Sequence, residues 1–397
     1  MLQAKNKNGS VLTLASLKRE AIEKIRGEGE TFYCPVCENP VIMKAGNKMV
    51  PHFAHQSSSD CPSREGGEGI YHEQGKLLLY HWFKKYKMEV TLEAYLSEIQ
   101  QRPDILLSVN SKKIAVEFQC ARISTEEIRQ RNEGYKAAGI FPIWIVGANN
   151  FTRYGANSFR IDQFTCQFIH QHTSESPQIV YYFHPHTSQI AIISHILIAR
   201  NSKAIGKINV KALEQMKFQE MFQLNFFSQK EMLDQWIKEK RNFRLRPVKR
   251  LYGNELTWRK WLYDKGFHTQ NLPSVIFLPV NSQHRMKTPL WNWQSKICME
   301  IIDPVPIGGT FSIQNCKHIF KNQILKPSLF PLISSIENPI DQYLHLLEQL
   351  NYIQKISATT FKKIQHLQRY KTIEEAMNGD QLLLQQLFSH NLDKIRA

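Results

Sequence analysis

Between residues 104 and 147 the apolar positions change rhythm several times, and each rhythm predicts an element. Ile105 to Val109 reads as a strand, Asn110 to Lys112 supplies turn residues, and Ile114 to Phe118 reads as a second strand. Ser124 with Glu127 three residues on is a capping-box signature that opens a helix, which Gly139 closes. Phe141 to Gly147 then forms a buried strand. Strand, helix, strand is a parallel crossover unit, so this region is expected to be an α/β sheet layer. Upstream, Leu77, Leu78, Trp82 and Phe83 recur at helical spacing between Ile70 and Tyr86, and Val90, Leu92 and Ala94 alternate as a strand. Residues 11–27 predict a short strand and a helix. Beyond about residue 180 the pattern turns mainly helical, and residues 331–397 read as a bundle of amphipathic helices.

The second strand of the hairpin carries the chemistry. Side chains along a strand alternate faces, so Ile114, Val116 and Phe118 point one way and Ala115, Glu117 and Gln119 the other. A strand buried on both faces is normally apolar on both, and two long polar side chains there need a reason. With Ser111 and Lys112 at the turn centre, Gln119 faces Asp104 and Glu117 lies diagonally from Asp104 on the same face. Diagonal neighbours are about 7–8 Å apart, which lets two carboxylates grip one hard cation such as Mg²⁺ or Mn²⁺. In this reading Asp104 and Glu117 hold the metal and Gln119 orients an attacking water. Glu68 is a further carboxylate, on one helix stripe with His72 and Lys76.

Composition adds a partner class. The 397 residues are enough for two or three domains. Lys plus Arg number 51 against 35 for Asp plus Glu, a net charge of +16, which favours a polyanionic partner or an anionic membrane surface. The excess is concentrated in residues 201–270, with 15 basic residues against 7 acidic. Arg241, Arg244, Lys249 and Arg250 lie in its densest run and are expected to track a phosphate backbone. The richest apolar run, Ile190 to Ala199, is far shorter than the roughly 20 residues of a membrane span, and the N-terminus has no signal-peptide pattern. The chain is therefore expected to be cytoplasmic. Cys120, Cys166, Cys298 and Cys316 are scattered, as buried structural thiols are in a reducing compartment.

The other three cysteines are clustered. Cys34-Pro35-Val36-Cys37 is a metal knuckle, a turn at Gly46-Asn47-Lys48 follows, and His52, His55 and Cys61 come after it. Thiolates with imidazole at this spacing suit a closed, structural zinc site. Five candidates compete for four places: Cys34 and Cys37 with both histidines, or with one histidine and Cys61.

Taken in order, Phe32 to Cys37, Pro51-His52-Phe53-Ala54-His55, Cys61, Glu68 with His72, Arg102-Pro103-Asp104, Val116 to Cys120, Arg131 with Tyr135, and Ile143 to Gly147 resemble the competence protein CoiA family. The resemblance implies a restriction-endonuclease-like PD-(D/E)xK core, here residues 64–180. Before it stands a zinc-ribbon-like module (1–63) and after it a basic, mainly helical C-terminal region (181–397). It implies Asp104, Glu117 and Gln119 as the nuclease triad, Glu68 as the helix carboxylate, and Arg131 and Tyr135 as following-helix residues at the nucleic acid. The implied function is action on incoming DNA, single-stranded above all, during natural transformation, together with other competence and recombination proteins. The chain departs from the wider superfamily at Gln119, which stands where a lysine is usual. Two readings follow: a Mg²⁺-dependent deoxyribonuclease, or a noncatalytic DNA-binding protein on a decayed nuclease fold.

Overall fold

The computed structural model describes residues 1–46, 49–56, 61, 69–86, 88–200, 202–246, 253–334 and 337–389. The N-terminal part is a small five-stranded sheet. Its strands are β1 (Gln3–Lys5), β2 (Val11–Thr13), β3 (Phe32–Tyr33), β4 (Pro40–Lys44) and β5 (His52–His55), in the order β2-β1-β3-β4-β5. Helix α1 (Arg19–Gly27) links β2 to β3. The core is short of apolar side chains: Ala4, Leu14, Ile22, Phe32 and Phe53 are its main members. A module this small needs a metal or another domain to lean on. It does lean, because Leu2 is fully buried in the core of the next domain.

That domain follows helix α2 (Ile70–Lys84) and is built on one nine-stranded sheet. Strands β6 (Glu89–Leu92), β7 (Ile105–Val109) and β8 (Lys112–Gln119) pair antiparallel in that order. Helix α3 (Thr125–Ala137) then carries the chain over to β9 (Ile140–Gly147), parallel to β8. The Ser124–Glu127 capping box forms as the sequence predicts, and Gly139 leaves the helix with φ +68°. Alternate residues of β8 and β9 serve opposite faces. Val116, Phe118, Ile143 and Ile145 pack with Leu79 and Phe83 of α2, whereas Trp144 and Val146 pack with Ile128 of α3. Gly75 of α2 sits so close to Phe118 that a Cβ there would fall 2.0 Å from the ring.

The sheet does not stop where the helical pattern was expected to begin. After β10 (Arg153–Gly155), β11 (Ser158–Arg160) and the short α4 (Gln163–Cys166), three strands β12 (Ile179–His184), β13 (Gln189–Arg200) and β14 (Lys203–Ala212) extend it. The order is β10-β11-β14-β13-β12-β9-β8-β7-β6, with β12 parallel to β9. The expected boundary at residue 180 thus falls inside β12, and two long strands stand where helix was expected. Both faces of β13 are covered, so its apolar run carries no alternation to betray it.

The C-terminal part mixes helices and strands rather than forming a pure bundle. Helices α5 (Gln229–Leu245), α6 (Gly253–Asp264), α7 (Leu290–Lys296), α8 (Ile313–Ile319), α9 (Pro339–Gln349) and α10 (Ile373–Ser389) accompany a sheet of β15 (Thr310–Ser312), β16 (Ile353–Lys355) and β17 (Thr360–Lys363). Trp236, Trp258, Phe277, Trp293, Leu344 and Leu384 centre its core. Its interior also holds charge. Lys240 and Arg244 on α5 are buried and pair with Asp380 on α10.

Candidate metal and nuclease-like sites

In the N-terminal module the knuckle thiols of Cys34 and Cys37 face β5, and Cys61 closes the set. Cys34, Cys37, His55 and Cys61 each offer one ligand atom, all within 4.8 Å of one another. The Cys34 and Cys61 sulfurs are 3.9 Å apart, and Cys37 Sγ is 3.3 Å from His55 Nε2. A tetrahedral zinc with Zn–S about 2.3 Å and Zn–N about 2.0 Å spaces its ligand atoms by roughly 3.5–3.8 Å. The Cys₃His set therefore fits structural zinc. Burial pushes the Cys34 thiol up to about 11, so the buried sulfur needs a cation to hold it as thiolate.

His52 is not in this set. Residues three apart on a strand point to opposite faces, so His52 and His55 cannot both look at the knuckle. The His52 ring lies 2.9 Å from the Val50 carbonyl by Nδ1 and 4.0 Å from Glu73 of α2. It joins the module to the nuclease-like domain instead.

The hairpin that presents Asp104 and Glu117 turns one residue earlier than expected. Asn110 and Ser111 both have positive φ, +48° and +65°, the two-residue turn that matches strand twist. Val109 therefore pairs with Lys112 and Ile105 with Val116. The next step of that register sets Asp104 against Glu117, not Gln119. Residues within the two strands keep their faces, because moving the turn centre by one shifts the pairing by two.

Asp104 is held at the end of the strand. Its Oδ2 accepts the Phe118 backbone N–H at 2.8 Å and lies 3.2 Å from His72 Nε2, and its Oδ1 lies 3.2 Å from Lys76 Nζ. His72 and Lys76 belong to α2. Glu117 turns to the other helix: its Oε1 accepts from Arg131 Nη2 at 2.6 Å, from Arg131 Nε at 3.1 Å, and from the Tyr135 hydroxyl. Burial and then the Glu117 charge push the Tyr135 phenol well above its ordinary value, so it stays a donor. Arg131 also donates to the Arg102 carbonyl at 3.1 Å. Gln119 donates its amide to the Ala121 carbonyl at 2.7 Å. The two carboxylates thus stand at one strand end but take their protein partners from helices on opposite faces of the sheet, not from one shared face as expected. Among the described residues, no group of three or more clustered His, Cys, Asp or Glu ligand atoms includes either of them.

One further buried acid joins this network without any sequence signal. Glu93 follows β6 with φ +49°, its N–H donates to the Asp104 carbonyl at 2.9 Å, and its Oε1 lies 2.7 Å from Lys76 Nζ. Its Oε2 accepts the Leu2 N–H at 2.8 Å and lies 3.9 Å from Arg102.

The sequence-expected residues outside this centre fare differently. Glu68, Lys249 and Arg250 lie outside the described residues. Arg241 is exposed on α5. Arg244 is not a surface residue: its guanidinium donates to both Asp380 oxygens (2.6 and 2.8 Å) and to the Gln270 and Leu272 carbonyls (2.8 and 2.9 Å). Those four bonds use nearly the whole fork, which leaves no edge for a phosphate. Lys240 beside it is likewise spent on Asp380 and the Ser274 and Ile276 carbonyls. Among the described residues no helix is long and apolar enough to cross a membrane.

Comparison with known proteins agrees along nearly the whole length. The model described as competence protein CoiA, N-terminal domain, matches residues 14–64. That of the CoiA nuclease-like domain matches 68–226, and that of the CoiA C-terminal domain 232–377. The nuclease-like match ends just beyond the last strand of the large sheet. A curated relative, competence protein CoiA of Bacillus subtilis (strain 168), is 29% identical over 302 residues, which cover 74% of this chain and 79% of the relative. No solved structure matches the chain at a significant level. The three matches, in order and with the Cys₃His cluster and the Asp104–Glu117 strand end inside them, make this chain a member of the competence protein CoiA family.

Proposed function

We propose that the chain is a divalent-metal-dependent deoxyribonuclease acting in the cytoplasm on DNA taken up during natural transformation. What supports the reading is the register that pairs Ile105 with Val116, whose next step would put Asp104 opposite Glu117 at one end of a buried sheet. Directly opposed residues have Cβ atoms about 4.5–5.5 Å apart, closer than a diagonal pair, so both carboxylates can reach one Mg²⁺ or Mn²⁺. Such a cation, when bound, acidifies a water and neutralises charge on the phosphate. Asp104 and Glu117 would hold it, with Glu68, two residues before α2 in the chain, adding a carboxylate. Gln119 positions the water by its amide, and Arg131 and Tyr135 stand ready to pass from Glu117 to a phosphate oxygen. Water adds to phosphorus and loses a proton, while the ester oxygen leaves and gains one, so a phosphate and a hydroxyl end result. The exposed Arg241, with Lys249 and Arg250, extends the contact with the strand. Single-stranded DNA is the preferred substrate, and recombination proteins that take over the strand are the expected partners.

A noncatalytic DNA-binding role has its own support. Glu117 already carries Arg131, and Asp104 already carries Lys76 and His72, so each carboxylate has a protein cation in place. Cleavage of labelled single- and double-stranded DNA in Mg²⁺ or Mn²⁺ separates the two. Glu117→Gln is expected to lower cleavage by about 100-fold or more while DNA binding persists. Equal residual cleavage by both proteins establishes the binding role instead.

A further inference from the structure

A lysine is among the side chains least often found fully buried, and one that is buried needs partners that justify the desolvation. Lys76 is 0% exposed. It lies on the second turn of α2, and its ammonium sits between two buried carboxylates, 2.7 Å from Glu93 and 3.2 Å from Asp104. Glu93 is itself held in place. Its backbone has the left-handed conformation, which is strained for a non-glycine residue, and its carboxylate is fastened by the Leu2 N–H of the N-terminal module. Three separate elements therefore converge to keep one ammonium against the motif aspartate. Stability alone does not ask for this, because apolar groups of similar volume would serve the fold as well or better.

The position two residues after Glu117 carries no charge: Gln119 stands there, and its amide is neutral. We propose that Lys76, clamped by Glu93, is the fixed cation on the Asp104 side of this site and does the electrostatic work that a lysine at position 119 would do. Lys76 acts through Asp104, which makes it a positioning residue: it fixes the Oδ1 edge of the carboxylate and so the direction in which Asp104 presents its charge. Glu93 in turn ties that ammonium to the N-terminal module. This inference rests on the cleavage reading of the site.

The test is relocation of the charge. Lys76→Met with Glu93→Gln removes the ammonium and its clamp together, so that a cation and an acid are neutralised as a pair. This protein is expected to keep its zinc and its circular dichroism, and to cleave DNA about 100-fold more slowly than wild type. Adding Gln119→Lys to it is expected to restore at least about tenfold, which a merely structural role for Lys76 would not allow. Should the double variant fail to fold, Glu93→Gln alone, which loosens Lys76 without deleting it, is expected to lose about tenfold and to be rescued in the same way. A folded double or single variant that cleaves within about threefold of wild type overturns the proposal, and so does a slow variant that Gln119→Lys leaves slow. Silence of the wild-type protein in both Mg²⁺ and Mn²⁺ overturns the cleavage reading and this inference with it. An active wild type with an indifferent Lys76 overturns the inference alone.

Discussion

Replacing Arg244 by Gln measures how far the C-terminal domain depends on its buried charges. The guanidinium makes two bonds to Asp380 and two to the Gln270 and Leu272 carbonyls, and both Arg244 and Asp380 are nearly inaccessible to water. Breaking a buried pair by deleting one partner costs about 3–5 kcal/mol, because the other charge is left uncompensated. Here Lys240 stays 3.1 Å from Asp380, which offsets part of that loss. Burial raises the Asp380 pKa, yet Lys240 and Arg244 together outweigh it and hold the carboxyl below its usual value. Against this, the Gln270 and Leu272 carbonyls lose a charged donor. The expected loss is about 3 kcal/mol, near the lower end of the range. With an m-value of about 2 kcal/mol/M, that lowers the urea midpoint by about 1.5 M. The assay is urea unfolding followed by tryptophan fluorescence, since Trp236, Trp258 and Trp293 all lie in the same core. Arg241→Gln, on the exposed side of α5, is the control and should stay within about 0.5 kcal/mol. Arg244→Met with Asp380→Leu should not recover the loss, because it strands the buried Lys240 ammonium that Asp380 also pairs. A midpoint shift of Arg244→Gln below about 0.3 M refutes the reasoning.

The remaining expectations concern metal and acid. Cys61→Ser and His55→Ala should each lower the zinc content of purified protein, while His52→Ala should retain zinc and weaken only the join to α2; elemental analysis beside thermal melting checks the split. Burial holds His170 at about 3 and His195 and His284 at about 4, all below the ordinary value of 6.5. Below pH 6.5 the unfolded chain takes up protons that the native chain refuses, so stability falls as pH falls toward 4. Each histidine contributes a slope of about 1.4 kcal/mol per pH unit, and the three together about 4. Urea midpoints at about pH 7 and pH 5 test this, and equal midpoints would show that these rings are not neutral in the native state.

How much of this could be read from the chain depended on how local each cause was. The capping box, the α3 helix and the β9 strand follow from residues close together in the chain, and they appear where the pattern puts them. The hairpin was legible in kind but not in register. Asn tolerates the left-handed conformation far better than Lys does, so the Asn110-Ser111 pair was the better turn centre, and the pairing follows from that preference. The error left Glu117 on its proper face because side chains along a strand alternate. The strand β13 was illegible for a different reason. A strand buried on both faces shows a continuous apolar run, and periodicity cannot tell it from a buried helix.

Long-range partners set the limit for the sites. His52 and His55 were equivalent as ligands on spacing alone, and only the alternation of β5 separates them. The basic run from Lys238 to Arg250 looked like one surface, because a charge count has no direction. In the fold, α5 turns Lys240 and Arg244 inward to an aspartate 136 residues beyond Arg244, while Arg241 stays outside. Glu93 marks the same limit at the nuclease-like centre. Nothing in Leu92-Glu93-Ala94 distinguishes it from any surface glutamate. Its meaning comes from the Leu2 N–H, 91 residues before it, and from the Lys76 ammonium on another element. A buried charge is specified by what neutralises it. That partner is chosen by the tertiary fold, so the residues that most constrain the site's electrostatics are those that local pattern describes least.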